Sequence, residues 1–559
     1  MTENHPEDEI KNPPAIQYPA LPLLAALAIM LLFDQLTWEK QFGLQFLILT
    51  VLVLAAMFAL AAAEKKRIPW TSYLLLAPIL LGGVMTALRT ASSTTAFNIL
   101  LAFAGFALLA LTLLNGQWPR LRLREVLLGG LTLIQSALID PLRVLIGRAK
   151  HPAASPDSQK PHPWRQVWPY LRGVLIALPV LLILGGLLAS ADMIFRQNLG
   201  GLLSWFRIEN LIDVIFRAVY ILIFAYLLAG VFIHALTRGA QAKALNEDQP
   251  FFKPFLGHTE AFIVLALVNL LFFGFIMVQF RYFFAGEANI TLEGFTYAEY
   301  ARRGFFELVA VAIISLGLYY LLSMFTQRAS RTTRVVFSVL GVLLMLQVGI
   351  MLISAFQRLS LYEAAYGFTT LRTVAHVFMV WLGVLLAAVT LMEVFNQFKR
   401  LAFTLFMIVF GFTLTLNLLN VDRFIATQNI AHAAAGHPLD ASYLMWNLSD
   451  DGIPALFEAW TAPDTPEDVK ESLEGVLACK FALRKQRPAR DFWAERQFSV
   501  SRADALFAAH QHTLKAYPFI EKIEYYEDLN PEQAIDQAYR SDFIVVDGEE
   551  IWCKTAQGD

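Results

Sequence analysis

The feature that most constrains this chain is a series of apolar blocks, each about as long as a membrane is thick. Residues 43–63, for example, contain Gln45 as their only strongly polar side chain. A helix of about 20 such residues crosses the ~30 Å hydrocarbon layer of a bilayer. The chain is 57% apolar and 16% charged, with a mean hydropathy of +0.52. A single soluble domain has no room for so many apolar helices, so the sequence predicts a polytopic helical membrane protein.

Eleven transmembrane helices are predicted from hydropathy. They lie near residues 18–35, 42–63, 69–88, 94–114, 167–189, 211–235, 258–280, 304–326, 333–355, 372–394 and 401–419. One further apolar segment, 125–147, contains Asp140, Pro141 and Arg143. Because a proline flanked by charges is unfavourable in the middle of a bilayer, we interpret this segment as interfacial or re-entrant.

The distribution of Lys and Arg predicts the orientation. If the N-terminus is cytoplasmic, the inside segments carry 20 of these residues and the outside loops carry 9, as the positive-inside rule requires. The strongest signals are the short turns EKKR, QRASRTTR and NQFKR. The predicted organisation is a cytoplasmic tail (1–17), a membrane bundle (18–147), a Pro-rich cytoplasmic linker (148–166) and a second membrane domain (167–419).

An odd number of spans places residues 420–559 on the periplasmic side. This region has helix-start signals at Asp440, at Thr465-Pro466, at Ser501 and at Asn530-Pro531. It closes with FIVVDGEEIWCK, which is typical of two short strands around an Asp-Gly turn. The fold class is therefore an all-α polytopic membrane protein with a small, mostly helical C-terminal soluble domain carrying one β-hairpin.

The chain contains two cysteines, Cys479 and Cys553, and both lie in the predicted periplasmic domain. A pair confined to that domain favours a disulfide, because the periplasm is oxidising. Two unrelated buried thiols are the alternative.

The stretch FTYAEYARRGFFELVAVA (295–312) begins as a polar helix and continues into a span. Thr296 and Glu299 fit a capping box. Glu299, Arg303 and Glu307 follow at i, i+4 and i+8, so they share one face of the helix. A similar pattern occurs 64 residues later, where Ser360 and Glu363 fit a second capping box, and Thr369, Arg372 and His376 share a face.

Charged side chains within spans usually face a protein interior or a water-filled cavity. The polar residues gather at the outer ends of the spans, where Arg217 and Asp422-Arg423 also lie. We therefore predict an outward-facing polar vestibule between spans eight and eleven, with ion pairs that lock helix ends as the alternative. The candidate vestibule residues are Tyr297, Glu299, Tyr300, Arg302, Arg303, Glu307, Tyr362, Glu363, Tyr366, Arg372 and His376.

Four stretches resemble a known family of bacterial membrane proteins. They are FTYAEYARRGFFELVAVA, RLSLYEAAYGFTTLR, NVDRFIATQNI and LDASYLMWNLSDDGIPAL. The chain resembles the family grouped as domain of unknown function 4173, a relative of group 4153, over roughly residues 165–460. SADMIF at 190–195 departs from the SADPVF usual in that family. The resemblance implies a location in the bacterial inner membrane and implies no activity.

The sequence contains no P-loop, nucleophile elbow, HExxH or Cys-based metal motif, so no catalytic residue, metal site or cofactor is predicted. No basic tract indicates nucleic-acid binding. The expected partners are the lipid bilayer and an envelope protein or small ligand at the periplasmic face. An envelope sensor or scaffold is the preferred function. The alternatives are a secondary transporter and, third, a membrane enzyme acting on a lipid-linked substrate.

Overall fold

The computed structural model describes residues 16–40, 43–150, 211–239, 255–284, 305–327, 330–395, 397–486, 492–517, 519–524, 539–546 and 549–554, together with the single positions 177, 184 and 188. Within these ranges, 10 helices are long and apolar enough to cross a membrane. A shorter apolar helix, Leu21–Thr37, precedes them. The protein is an all-α multi-pass membrane protein, as the apolar blocks predict. The predicted span 167–189 falls almost entirely outside the described residues.

The helices of the membrane region follow the predicted spans closely. They are α1 (Leu21–Thr37), α2 (Gln45–Ala63), α3 (Trp70–Tyr73), α4 (Leu76–Leu88), α5 (Ser92–Thr112), α6 (Leu123–Lys150), α7 (Leu211–Thr237), α8 (His258–Phe284), α9 (Phe305–Phe325), α10 (Arg331–Tyr366), α11 (Thr370–Val394) and α12 (Leu401–Leu419). Short 3₁₀ turns lie at Trp118–Arg120 and Phe398–Arg400. Helix α10, with 36 residues, is about 54 Å long and extends well beyond a ~30 Å hydrocarbon layer.

The segment 125–147, interpreted above as interfacial or re-entrant, lies within one uninterrupted helix. Helix α6 is continuous and contains Pro141, and Leu123–Leu145 is long and apolar enough to cross a membrane. Its charges are compensated, because the buried Asp140 pairs with Arg143 at 3.2 Å and with Arg238 of α7 at 3.6 Å. A charge that has a partner on a neighbouring helix is far less costly within a bilayer than an isolated one.

Helix α12 joins three buried apolar clusters. Its Phe406 belongs to a cluster with α1, α2, α4, α5 and α7. Leu401 belongs to a second cluster formed by α8 to α11. Phe412 and Leu416 belong to a third, which otherwise contains residues from 421 onwards. The core thus continues without interruption across the predicted domain boundary at residue 420.

The turns between helices define two faces of the bundle. On one face, which we call the C-terminal face, the α1–α2, α4–α5 and α10–α11 turns contact residues from 421 onwards. On the other, which we call the basic face, Trp118 donates from Nε1 to the Thr71 carbonyl at 2.9 Å and stacks near Phe403. The α2–α3 turn with Lys65, Lys66 and Arg67 and the Lys399-Arg400 turn lie on the basic face.

The region after α12 is mostly helical, as predicted. Its helices are α13 (Val421–Ala434), α14 (Ala441–Trp446), α15 (Ile453–Thr461), α16 (Glu467–Gln486), α17 (Phe498–Ala509) and α18 (Gln511–Leu514), with a 3₁₀ turn at Trp493–Glu495. Asp440 caps α14 by accepting from the Tyr443 N–H at 2.8 Å. The start signal at Ser501 is misplaced, because α17 already begins at Phe498. The signal at Asn530-Pro531 lies outside the described residues.

The region contains more than the predicted hairpin. Strands β1 (Phe519–Glu524), β2 (Tyr539–Val546) and β3 (Glu549–Lys554) form an antiparallel sheet in the order β1-β2-β3. The hairpin is β2–β3, with Ile544 opposite Ile551. The structure contains a disulfide between Cys479 of α16 and Cys553 of β3, whose Cα atoms are 5.2 Å apart. Both cysteines are fully buried.

Candidate functional site

The structure describes six of the eleven candidate vestibule residues. Tyr297, Glu299, Tyr300, Arg302 and Arg303 lie outside the described residues. Glu307 is exposed in the first turn of α9. The remaining five lie around one turn, where α10 ends and α11 begins; they are Tyr362, Glu363, Tyr366, Arg372 and His376. The site is therefore described from this turn outwards.

The α10–α11 turn depends on Gly367, which ends α10 with φ of 72°. A positive φ of this kind favours glycine. Thr369 then caps α11. Arg372 Nη1 donates to the carbonyls of Tyr366 and Gly367 at 3.2 and 2.5 Å, and its guanidinium lies 4.2 Å from the centre of the Tyr362 ring. The cation at the C-terminal end of α10 complements the helix dipole, so Arg372 has a structural role.

The second predicted capping box, at Ser360 and Glu363, is wrong. Both residues lie inside α10, and the Ser360 hydroxyl donates to the Phe356 carbonyl at 3.0 Å. Glu363 instead faces α11, where His376 Nδ1 lies 2.9 Å from its Oε2. The other nitrogen of the ring, His376 Nε2, lies 3.3 Å from Ser360 Oγ. A chain of polar contacts therefore connects Ser360, His376 and Glu363 between the two helices.

This chain borders a cavity of about 290 Å³ at the C-terminal face, enclosed by α10, α11, α12 and α13. Its wall is mainly apolar and aromatic; the principal residues are Phe356, Phe368, Val377, Val380, Trp381 and Phe424. Glu363, Thr373 and His376 also border it, although the accessible surface of the cavity is apolar. Phe356 and Val380 are exposed, so the cavity opens at the outer surface of the helix bundle.

Two of the residues around the cavity have a buried polar atom with no hydrogen-bond partner in the described part of the chain. These atoms are Oε1 of Glu363 and Oγ1 of Thr373. Both residues are only 3% exposed. A buried acceptor without a donor is costly in a folded protein. The sequence pattern identified Glu363 and His376, whereas it gave no signal for Thr373, which resembles any Thr on a helix.

The region after α12 holds the α10–α11 turn in place. Asn429 of α13 accepts from the Phe368 N–H at 2.6 Å and donates to the Phe368 carbonyl at 2.9 Å. The Tyr443 hydroxyl of α14 accepts from the Thr370 N–H at 2.7 Å. Since Phe368 also lines the cavity, these hydrogen bonds connect α13 and α14 to the cavity wall.

A second contact between the membrane helices and the region after α12 centres on Asp451, which follows the Leu448-Ser449-Asp450 segment. Its side chain is 1% exposed and its Oδ2 accepts from the backbone N–H groups of Thr90 and Ala91 at 2.7 and 3.1 Å. Its Oδ1 accepts from the Ser499 hydroxyl and lies 3.5 Å from Arg89. One carboxylate thus joins the α4–α5 turn to the helices after α12. No local sequence pattern indicated this role of Asp451.

Asp422, at the start of α13, is 2% exposed and accepts from the Ser449 N–H at 2.8 Å. Burial raises the pKa of Asp422 above its ordinary value, although the Ser449 hydrogen bonds and the Lys480 charge act in the opposite direction. The folded state therefore binds a proton more readily than the unfolded chain, and this residue's contribution to stability falls as pH rises through the window between the two pKa values.

We expect Asp422→Asn to increase stability at pH 7, because the amide retains an oxygen for the Ser449 N–H and removes a buried charge. The gain should shrink as the pH is lowered towards the raised pKa of Asp422. Denaturant unfolding of the purified wild type and variant between pH 5 and 8 measures this gain in stability. A variant less stable than the wild type at every pH would contradict the assignment.

Two other polar groups at the ends of helices form ion pairs. Arg217 of α7 donates to both carboxylate oxygens of Asp34 in α1, and its guanidinium lies 5.1 Å from the Trp38 ring centre. Arg423 pairs with Glu458 at 3.0 Å on the surface. Arg217 and Arg423 therefore form ion pairs that join helices, which is the alternative to a polar vestibule given above.

Comparison with known proteins gives one match. The model of the family described as domain of unknown function (DUF4153) matches residues 76–459. No match was found among curated proteins or among solved structures. The link to group 4153 is confirmed, whereas membership of group 4173 is not shown. The matched region begins in α4 and ends in α15, so it includes the cavity, Asn429, Tyr443 and Asp451. Since the match covers more than half of the 559 residues, the chain belongs to the DUF4153 family of membrane proteins.

Proposed function

We propose that this protein is an envelope sensor or scaffold of the bacterial inner membrane, and that the cavity between α10 and α13 binds an amphipathic ligand. The observation that carries the proposal is the composition of the cavity lining. Its wall is apolar and aromatic, the buried Glu363–His376 pair lies at its border, and it is open at Phe356 and Val380. An apolar pocket with a few convergent polar groups is the usual form of a small-molecule site.

Coupling between the cavity and the region after α12 supports a sensory or scaffold role. Phe424, on the first helix of that region, lines the cavity. Phe368 lines it too and is hydrogen-bonded to Asn429 on the same helix. A ligand that contacts Phe368 and Phe424 has a different affinity for the protein with α13 packed on the α10–α11 turn than for the protein with α13 detached from it. Such a difference in affinity is what allows a ligand to shift the equilibrium between the two arrangements.

A periplasmic location of the C-terminal face is part of the proposal. The opposite face carries Lys65, Lys66, Arg67, Lys399 and Arg400, and such basic turns favour the cytoplasm. The disulfide after α12 favours an oxidising compartment. Phosphatase fusions at a site after α12 would be active under this orientation and inactive under the reverse one.

We expect Val380→Trp to abolish labelling of the cavity by an alkyl diazirine probe with a polar head. Val380 lines the cavity, and the larger side chain would obstruct part of its space of about 290 Å³. Mass spectrometry of the labelled full-length protein in nanodiscs should find wild-type adducts concentrated on α10 to α13. Val384→Trp is the matched control, because Val384 is exposed one turn further along α11.

Equal labelling of the two variants, or adducts spread evenly over all exposed helices, would show that the probe reports general contact with the surrounding lipid. The proposed binding site would then be rejected.

A membrane enzyme acting on a lipid-linked substrate is the second candidate. The order Ser360, His376, Glu363, with contacts of 3.3 and 2.9 Å, is that of a nucleophile, a base and an orienting carboxylate. Against this role, the Ser360 hydroxyl already donates to the Phe356 carbonyl within α10. Covalent labelling of Ser360 by a fluorophosphonate, lost in Ser360→Ala, would favour the enzyme over the sensor.

The transporter alternative receives less support. A transport path needs polar groups at the bilayer midplane that line a cavity. The buried polar residues Asn269 and Gln347 instead join α8 to α10, since Gln347 Nε2 donates to the Asn269 carbonyl at 3.1 Å. Asn269 also donates to the Leu340 carbonyl at 3.2 Å. Hydrogen bonds of this kind hold neighbouring membrane helices together.

A further inference from the structure

We propose that residues 492–502, which we call the 492–502 segment, bind phospholipids of the membrane leaflet at the C-terminal face. Trp493 and Phe498 lie where the lipid chains meet the headgroups, and Arg496 and Arg502 bind lipid phosphates. This surface is separate from the cavity between α10 and α13, and its role is independent of the proposed function.

Hydrogen bonds place the 492–502 segment at the ends of two membrane helices. The Leu44 N–H, at the start of α2, donates to the Ala494 carbonyl at 2.7 Å. Ser499 Oγ donates to the carbonyl of Leu88, the last residue of α4, at 2.7 Å. Helix α2 has 19 residues and is about 29 Å long, close to the ~30 Å thickness of the hydrocarbon layer. Its first residues therefore lie at the edge of that layer, and so does the segment bonded to them.

Two large aromatic side chains of the 492–502 segment are exposed. Trp493 is 54% exposed and Phe498 is 61% exposed, whereas Ala494 between them is buried. A single exposed aromatic residue is common on protein surfaces. At the level where membrane helices end, however, aromatic side chains are typical of the boundary between lipid chains and headgroups. The spans beside this boundary are apolar on their surface too, since Val51 of α2 and Val84 of α4 are exposed.

The exposed charges of the 492–502 segment are all positive. Arg496 and Arg502 are exposed, and within the described part of the chain neither forms an ion pair with a carboxylate. The acidic residue of the segment, Glu495, is buried. A further exposed cation, Lys40, follows α1 and has its Nζ 4.9 Å from the centre of the Phe492 ring. This face therefore complements a negatively charged surface.

A phospholipid satisfies both kinds of side chain at once. A guanidinium binds phosphate oxygens with two parallel hydrogen bonds, and clustered cations near a bilayer favour anionic lipids. A soluble phosphate ion would pair with the arginines but leave both aromatic rings in water. An apolar molecule would cover the rings but leave the arginines without an anion. The edge of the bilayer supplies apolar chains and phosphates side by side.

Spin labelling of the full-length protein in nanodiscs tests the depth of the 492–502 segment. Trp493→Cys and Phe498→Cys would each carry one nitroxide, because both native cysteines are held in the disulfide. We expect both labels to be more accessible to oxygen, which dissolves in lipid, than to a water-soluble nickel chelate. Val51→Cys is the reference for lipid contact. Ala508→Cys is the reference for water, because Ala508 is exposed near the far end of the helix that begins at Phe498.

A second measurement tests the two arginines. Nanodiscs would contain phosphatidylglycerol and phosphatidylcholine, each with the same diazirine on its chain, and mass spectrometry would count the adducts of each lipid on the 492–502 segment. We expect phosphatidylglycerol adducts to exceed phosphatidylcholine adducts by about fivefold or more. Arg496→Gln/Arg502→Gln should bring this ratio close to one. Lys515→Gln, which removes an exposed cation elsewhere in the region after α12, should leave it unchanged.

Greater accessibility to nickel than to oxygen at either Trp493 or Phe498 would overturn the lipid contact, and would leave water or another protein as the neighbour of these rings. An adduct ratio that is the same in the wild type and the double arginine variant would overturn the binding of phosphate by Arg496 and Arg502.

Discussion

Asp451→Ala is expected to destabilise the protein by on the order of 3–5 kcal/mol, the range for removing one partner of a buried charged network. The side chain is 1% exposed and accepts from the N–H groups of Thr90 and Ala91 and from the Ser499 hydroxyl, beside Arg89. Alanine leaves these donors buried without an acceptor. The α4–α5 turn should also become more sensitive to protease. Denaturant unfolding in detergent measures the loss.

Two further variants make the Asp451 experiment specific. Asp451→Asn keeps one oxygen for the backbone donors but places an amide near Arg89, so its loss should be intermediate. Asp464→Ala removes an exposed carboxylate in the α15–α16 connection and should have little effect. If Asp451→Ala unfolds at the same denaturant concentration as Asp464→Ala, the carboxylate does not hold the two regions together.

The second large effect is expected from the disulfide. Cys479 and Cys553 are 74 residues apart in the sequence. Closing a loop of this length stabilises the folded state by about 4 kcal/mol in the chain-entropy model. The double variant Cys479→Ala/Cys553→Ala should lose a similar amount, and β3 should become protease-sensitive before the membrane helices unfold. Wild-type protein treated with reductant is the matched comparison.

The disulfide prediction has a clear contrary result. Full alkylation of both thiols in unreduced, denatured protein would show that the bond is absent. Unchanged unfolding of the double variant would show that the sheet is held on α16 by packing alone, through groups such as Ile544, which is 1% exposed.

Most of the membrane fold was predictable because the bilayer imposes a strict rule on local sequence. Each span must be apolar for about 20 residues, so blocks such as 401–419 coincide with helix α12. The prediction failed where a distant residue decides the outcome. Asp140 and Arg143 indicated an interrupted segment, and only the position of Arg238 on α7 shows that the charge is compensated.

In the candidate site, too, some residues are indicated by the local sequence and others depend on distant residues. Glu363 and His376 stood out because charged and titratable residues are rare in spans. The Ser-x-x-Glu pattern at 360–363 indicated a helix start, yet the same spacing places both side chains on one face near the end of α10. The contributions of Thr373, Asn429 and Asp451 depend on groups far away in sequence, such as Phe368 and Thr90. No local pattern contains that information.

The attachment of early turns to much later residues has a consequence for synthesis. The Leu44 N–H donates to the Ala494 carbonyl at 2.7 Å, and the Thr90 N–H donates to Asp451. At about 5–20 residues per second, the ribosome needs roughly 20–90 s to proceed from residue 44 to residue 494. During that interval the first helices are already inserted while their outer turns lack their final acceptors. A nascent chain arrested before residue 451 should therefore be correctly threaded yet remain a substrate for membrane proteases.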